Sequence, residues 1–258
     1  MSRIEFFVSP QDRQTLDAAG LRTFEDLMSK DCGSEVSSQS SAQVRRLELP
    51  TEDGPIVCFL KRTLGLKPRK SFRFLLHGRI PHTSAYREMR QVFTLRQHGV
   101  PTMRVMAWGE ERRFILPLRG FILVENVPGK PLHDLFLTSD ESGRQELIAA
   151  YAALLARLHT LGFYQVVRFK DVICSDAPRE NRCARSLTLI DRVVANPGRK
   201  PFWSFFCIQA LRRGFHRMTR DGIVFNPSER KAFADAYARD VATRWKVTGT
   251  GIETRLTR

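Results

Sequence analysis

The stretch RQELIAAYAALLARLHTL, residues 144–161, constrains this chain more than any other. Its apolar residues Leu147, Ala150, Tyr151, Leu154 and Leu158 follow helical spacing, which predicts a helix with one long apolar side. Such a helix has to lie inside a domain, with other elements packed along that side. The sequence before it is strand-like and the sequence after it is helix-like. The chain therefore reads as a β-rich front and an α-rich back, joined at ENVPGKPLHD, residues 125–134. We place the front at 1–127, with an N-terminal extension over 1–30, and the back at 128–258, with a flexible tail over 246–258.

The front resolves into a recognisable order. The Ser-rich stretch GSEVSSQSSAQ (33–43) is followed by VRRLELPTEDGPIVCFLKRT (44–63), in which two strand-like runs flank the turn signal Thr51, Glu52, Asp53, Gly54. In the second run Val57, Phe59 and Lys61 share a face, because strand side chains alternate. A helix follows. Thr83 or Ser84 can cap its start, Ala85, Met89, Val92 and Phe93 keep helical spacing, and Gly99 with Pro101 ends it. Glu88 stands one turn before Val92, beside the apolar stripe. TMRVMAWGE and FILVENVPG then read as two further strands, so 44–127 is β-β-α-β-β, an antiparallel sheet with one helix. Behind the 144–161 helix come LGFYQVVRFKDVIC (161–174), a polar loop over 175–186, the strand LTLID (187–191), and helices with basic faces across 200–245.

Composition narrows the class. Of the 258 residues, 42% are hydrophobic and 27% charged, the balance of a soluble globular protein. No apolar run approaches the ~20 residues that span a bilayer. The opening MSRIEFFVSPQDRQTL acquires charge too early for a signal peptide, so the expectation is a cytoplasmic protein. Five widely spaced cysteines form no CxxC pair, which indicates neither a zinc site nor a disulfide framework. His98, His133 and His159 read as packing or surface residues, with no two at metal-ligand spacing. The net charge of +15 favours anionic partners: nucleic acid, phosphorylated sugars or an anionic membrane face. Nucleic acid is the least favoured, since neither a DNA-binding motif nor aromatic-basic interleaving accompanies the charge.

Several of these features fall in one order: a strand lysine (Lys61), a helix glutamate 27 residues on (Glu88), a strand pair ending in a hydrophobic hinge, a long buried helix, and an aspartate (Asp191) closing an apolar strand. That order resembles the protein-kinase-like fold. More closely, CFLKRT, YREMRQVFTLRQHGVPTMRVMAWGE, FILVENVPG, LARLHTLGFY and LTLIDRV resemble the lipopolysaccharide kinase (Kdo/WaaP) family of sugar kinases, over roughly residues 30 to 240. The resemblance implies an α+β, two-lobed kinase-like fold, with an antiparallel sheet and one helix in the N-lobe and a mainly helical C-lobe. It implies ATP and Mg²⁺ as cofactors. Lys61 would hold the α- and β-phosphates and pair with Glu88, which keeps the lysine charged and oriented. Asp191 would ligate the Mg²⁺, and the backbone at Glu125 and Val127 would meet the adenine. The Ser-rich 33–43 stretch stands in place of a glycine-rich loop. The implied partners are a nucleotide and an acidic glycolipid or lipid-linked sugar, with peripheral contact at the inner face of the cytoplasmic membrane.

One part of the family pattern is missing. The catalytic loop carries an HRD-like triplet and, five residues after its Asp, an Asn or His near the second metal. Aligning GFY puts Gln165, Val166 and Val167 on the triplet and Val172 on the metal-side position. Neither valine can accept a proton or ligate Mg²⁺. A register shifted by four residues would make Phe169, Lys170 and Asp171 the triplet and Asp176 the metal-side residue. It would also require 177–180, with a proline and two charges, to form the buried strand that Val172, Ile173 and Cys174 supply in the unshifted register. The unshifted register is preferred, with Asp171 as the nearby carboxylate that could substitute as a base. The expected function is a nucleotide-binding, catalytically impaired (pseudokinase-like) member of this family. The alternative is an active phosphotransferase acting on a sugar of the lipopolysaccharide core through Asp171 or another unconventional base.

Overall fold

The computed structural model describes residues 2–29, 31–65, 74–175, 186–190 and 198–257. Asp191, Asp176 and most of the polar loop lie outside the described residues. By their internal contacts the described residues form two compact units, one drawn from 2–94 and 103–126, the other from 95–102, 127–190 and 198–257.

The first unit is built on six antiparallel strands: β1 (Ser2–Val8), β2 (Ser34–Gln39), β3 (Ala42–Leu49), β4 (Ile56–Thr63), β5 (Val105–Arg113) and β6 (Leu116–Glu125), in the spatial order β1-β5-β6-β4-β3-β2. The hairpin predicted around Thr51 to Gly54 is β3–β4, with Leu49 opposite Ile56. Alternation along β4 sends Cys58, Leu60 and Arg62 to one face and Phe59 and Lys61 to the other. The Ser-rich stretch forms β2, an edge strand exposed along its whole length, and turns into β3 at Ser40 and Ser41.

Residues 2–29 are built into the sheet unit. Ser2–Val8 pairs with β5 along its full length as the edge of the sheet. The short helices α1 (Arg13–Ala18) and α2 (Phe24–Met28) then lay Leu16, Phe24 and Leu27 over the sheet face formed by Leu47, Leu49, Leu60, Phe121 and Leu123. A sheet with two apolar faces needs cover on both, and the extension supplies one of them. Arg62, buried on that face, donates to the carbonyl oxygens of Leu27 (2.8 Å) and Ser29 (2.6 Å), fastening the extension to β4. The other cover is α3 (Ser84–Gln97), whose Ala85, Met89 and Val92 are buried.

The second unit is assembled around α5 (Glu141–Thr160). Asp140 caps it by accepting the Gly143 amide at 2.8 Å, and the chain leaves it through Gly162 at φ 86°, where a Cβ would collide with the carbonyl oxygen of Lys200. Leu147, Ile148, Tyr151, Leu155 and Leu158 are buried, while Ala150 is only partly so. The buried side is therefore broader than the predicted stripe and includes Ile148 and Leu155. Around α5 lie β7 (Lys130–Pro131), α4 (Leu132–Thr138), β8 (Val172–Ser175), β9 (Ser186–Leu189), α6 (Ser204–Arg220) and α7 (Pro227–Val241). Within the C-terminal segment, Gly249–Thr257 forms a helix, α8, that packs along α7 with Ile252 fully buried. Two glycines in that segment weaken its helical signal, but one well-buried isoleucine, worth roughly 1.5–3 kcal/mol, offsets them. The four described cysteines are buried free thiols. No described helix is long and apolar enough to cross a membrane.

Candidate active site

In the first unit the site is built from a strand and a helix. Lys61 stands between Val44 on β3 and Ile122 on β6, and its Nζ lies 2.7 Å from Oε1 of Glu88, in the second turn of α3. The glutamate side chain is 3% exposed and the lysine 19%. The carboxylate is thus sunk in the unit, and the ammonium reaches the surface beside it. A paired lysine in a partly dry setting stays charged and pointed, which is what an anion-binding group requires.

The register of α3 decides whether Glu88 can reach Lys61, and it is set by a group that the sequence did not single out. Glu110 on β5, fully buried, accepts the Thr83 amide at 2.6 Å, Arg112 Nη1 at 2.6 Å, and a contact from His82 Nδ1 at 2.9 Å. Burial pushes its carboxyl pKa up, but the bonds from His82, the Thr83 N–H and Arg112 outweigh it and hold the group below the usual range. Thr83 in turn accepts the Tyr86 amide at 3.2 Å, as an N-cap does, while Thr63 and Ser84 hydroxyls meet at 2.6 Å. The helix start is therefore pinned to β4 and β5 at once.

Glu125, at the end of β6, has its carboxylate 2.5 Å from Arg104 Nε, and Arg104 Nη1 spans both oxygens of Asp12 at 2.7 and 2.6 Å. The Glu125 amide also donates to the Arg104 carbonyl at 3.0 Å, and that of Asn126 to Val57 at 2.9 Å. The end of the hinge strand is thereby braced against the N-terminal extension. Asp12 and Glu110 leave no local signal of these roles, since Arg104 lies 92 residues from Asp12 and the helix start at Thr83 lies 27 from Glu110.

In the second unit, of the three residues expected in place of the catalytic triplet, Gln165 and Val167 are buried and Val166 is half-buried. Val167 is 2% exposed, and the Tyr151 hydroxyl donates to its carbonyl at 2.7 Å. Gln165 and Val167 line a small internal cavity of about 10 Å³ together with Tyr151, His159 and Met218. Val172, expected on the metal-side position, is fully buried at the start of β8. β8 pairs with β9 so that Val172 meets Leu189, Ile173 meets Thr188 and Cys174 meets Leu187, which is the strand pairing that the unshifted register demands. Asp176 of the shifted register lies outside the described residues.

Asp171 is 4% exposed, and both of its carboxylate oxygens are occupied. Oδ2 accepts the Arg168 amide (2.8 Å) and Nε (3.0 Å), and Oδ1 accepts Nη2 (2.9 Å). The same arginine reaches Asp221 at 3.6 Å, which Lys170 meets at 2.5 Å. Phe169, within this turn, packs edge-on against Tyr151 and Phe136 at ring separations of 4.7 and 5.1 Å. The segment is a clamped 3-10 turn rather than a loop presenting a carboxylate. Asp191 lies outside the described residues, and among those described no cluster of His, Cys, Asp or Glu could hold a metal ion.

Comparison with known proteins agrees with the order of these elements. The family model for "Lipopolysaccharide kinase (Kdo/WaaP) family" matches residues 59–166, a span that contains Lys61, Glu88 and Glu125. A solved structure described as WaaP in complex with acyl carrier protein superposes with a TM-score of 0.62 at 17% identity, covering 99% of this chain and 97% of that one. A structure of the bifunctional kinase-methyltransferase WbdD, also 17% identical, gives a TM-score of 0.40 over 82% of this chain and 42% of that one. No curated protein matches. The chain has the WaaP kinase-like fold and, across residues 59–166, is similar in sequence to the lipopolysaccharide kinase (Kdo/WaaP) family.

Proposed function

We propose that this protein is a nucleotide-binding, pseudokinase-like relative of the lipopolysaccharide kinases, which holds Mg-ATP without transferring its phosphate efficiently. The observation that carries the reading is the burial of Val167 and Val172, the residues standing at the base and second-metal positions. A positioned general base contributes about 10²–10⁴ in rate, and phosphoryl transfer depends otherwise on positioning and charge. A chain that keeps the phosphate-binding half and lacks the base is crippled in turnover rather than in binding.

The residues present fit a nucleotide better than they fit two metal ions. The Lys61–Glu88 pair is formed, half-sheltered and rigidly supported, as a phosphate-holding lysine has to be. A buried valine at the second-metal position offers no oxygen, so we assign a single Mg²⁺, with Asp191 as its protein ligand. The backbone at Glu125 and Val127 would take the adenine, and the serine-rich β2–β3 turn would cover the phosphates. Asp171 is less suited to act as a base, because Arg168 occupies both of its oxygens.

The net charge of +15 suits an acidic glycolipid or lipid-linked sugar, and with it a working place at the inner face of the cytoplasmic membrane. Since the solved neighbour was captured with acyl carrier protein, co-elution with that carrier is a direct trial of a second partner.

The test is thermal unfolding with and without Mg-ATP. The wild type should rise in Tm with Mg-ATP, and Lys61→Ala should lose roughly 10- to 100-fold in nucleotide affinity, the usual worth of a hydrogen bond to a charged group. An unchanged Tm in the wild type at millimolar Mg-ATP would refute nucleotide binding.

A further inference from the structure

The β5–β6 hairpin ends in a turn whose chemistry contradicts its geometry. Arg113 pairs with Leu116, leaving Phe114 and Ile115 as the two central residues of the turn. Two-residue hairpin turns call for positive φ at the first central position and so favour Gly, Asn or Asp there. Phe114 occupies it at φ 55°, the one non-glycine among the described residues with positive φ. An aromatic side chain in the left-handed region is strained, and such outliers concentrate at functional sites. Nothing in the fold rewards the strain, because Phe114 is 83% exposed.

The ring is not alone. Ile115 is 50% exposed, Leu116 43% and Leu118 39%, so the tip presents four apolar side chains to solvent in five consecutive residues. It is also stiff. Arg112 Nη2 donates to the Ile115 carbonyl at 2.7 Å while its Nη1 is held by the buried Glu110, which ties the turn to the body of the sheet. The carboxylates around the tip are paired with arginines, Glu25 with Arg119 among them, and one arginine is left over. The carboxylates nearest in sequence, Glu110 and Glu111, are bound by Arg112 and Arg119. Arg113, at the base of the turn, is exposed and has no ion-pair partner among the described residues. Arg3 on the neighbouring strand, 80% exposed, makes one looser contact with Glu5 at 3.3 Å.

We propose that this tip is a membrane wedge: Phe114, Ile115 and Leu116 enter the headgroup region of an anionic bilayer, and Arg113 pairs with lipid phosphates at the rim. A braced apolar tip needs little ordering on insertion, and a cation at its base matches an anionic surface in a way that a neutral protein groove would not. The inference rests on the reading above only in taking the membrane as the place where a lipid-linked acceptor is met. It uses neither the nucleotide site nor the second unit.

The protein is sedimented with vesicles of phosphatidylcholine alone and with vesicles made anionic by about 30 mol% phosphatidylglycerol, whose negative surface potential attracts basic side chains. Phe114→Gly/Ile115→Ser restores the residue types that the turn prefers, so folding is kept and Tm should not fall. That variant should partition at least about tenfold more weakly onto the anionic vesicles, the effect of withdrawing two large apolar side chains from the interface. Arg113→Gln should lose about fivefold on the anionic vesicles and nothing on the neutral ones. The Mg-ATP shift, measured in the same samples, should be equal in all three proteins, which separates failure of the wedge from failure of nucleotide binding. Wild type that ignores both vesicles overturns the proposal, as does equal partitioning of the tip variant, since surface charge alone would then account for binding. Self-association of the wild type that the tip variant abolishes, without vesicle binding, overturns it in favour of a second copy of this chain.

Discussion

Val167 is a valine with its side chain in the interior, beside Tyr151 and the small cavity that Gln165 also lines. Restoring an aspartate there would bury an unpaired carboxylate rather than aim one at a substrate. Val167→Asp should therefore cost several kcal/mol, about 3 or more, in a urea titration, and should give no gain in phosphoryl transfer. Recovery of acceptor-dependent turnover in a stably folded Val167→Asp would show that this residue can face a bound substrate. At the same scale, Lys61 and Glu88 were legible from the sequence because each lies in an element with a clear period. A strand lysine and a helix glutamate 27 residues apart also carry meaning as a pair. Glu110 and Asp12 were not legible. Their importance is three-dimensional, a buried carboxylate collecting a helix start and an arginine clamp on the end of β6, and neither has a local pattern.

Among the elements, the turn before β8 separates two roles for Asp171. Its carboxylate closes the turn on the Arg168 amide and guanidinium, so Asp171→Asn should destabilise the protein by about 1–3 kcal/mol. The denaturant midpoint reads that loss, and Mg-ATP affinity should stay within about twofold. A catalytic base would show the reverse, turnover lost with stability kept. The strand after this turn could be read in advance because Val172, Ile173 and Cys174 are uniformly apolar, whereas 177–180 are not. The long helix could be read from its period, although its buried side proved wider. Helices of five to nine residues escaped: α1 and α2 are too short for a period, and α8 carries glycines and a single deeply buried anchor, Ile252. Their structure comes from the surfaces they cover, which propensity does not report.

For the molecule as a whole, acid stability should depend on His159. It is fully enclosed between α5 and α7 with Nδ1 2.7 Å from the Tyr237 hydroxyl, and burial pushes its pKa down to about 3. The unfolded chain binds a proton at this residue near pH 6.5 and the folded chain does not, so stability falls as pH drops from about 6.5 toward 3. The slope attributable to this one group is about 1.4 kcal/mol per pH unit. Urea midpoints taken between pH 7 and 4 should converge for wild type and His159→Gln as the pH falls, because the variant lacks this proton. Parallel curves would show that the imidazole is protonated in the folded state.

The central claim, a nucleotide held and not efficiently turned over, is tested most directly by acceptor-dependent phosphoryl transfer from γ-labelled ATP. A lipopolysaccharide core acceptor is supplied, and Mg-ATP binding is measured in the same preparation. The account predicts binding that Lys61→Ala weakens, with label transfer that is slow at best and not dependent on the Asp171 carboxylate. Transfer by the wild type that vanishes in both Asp171→Asn and Asp191→Asn would contradict it and make this protein a working kinase with Asp171 as its base.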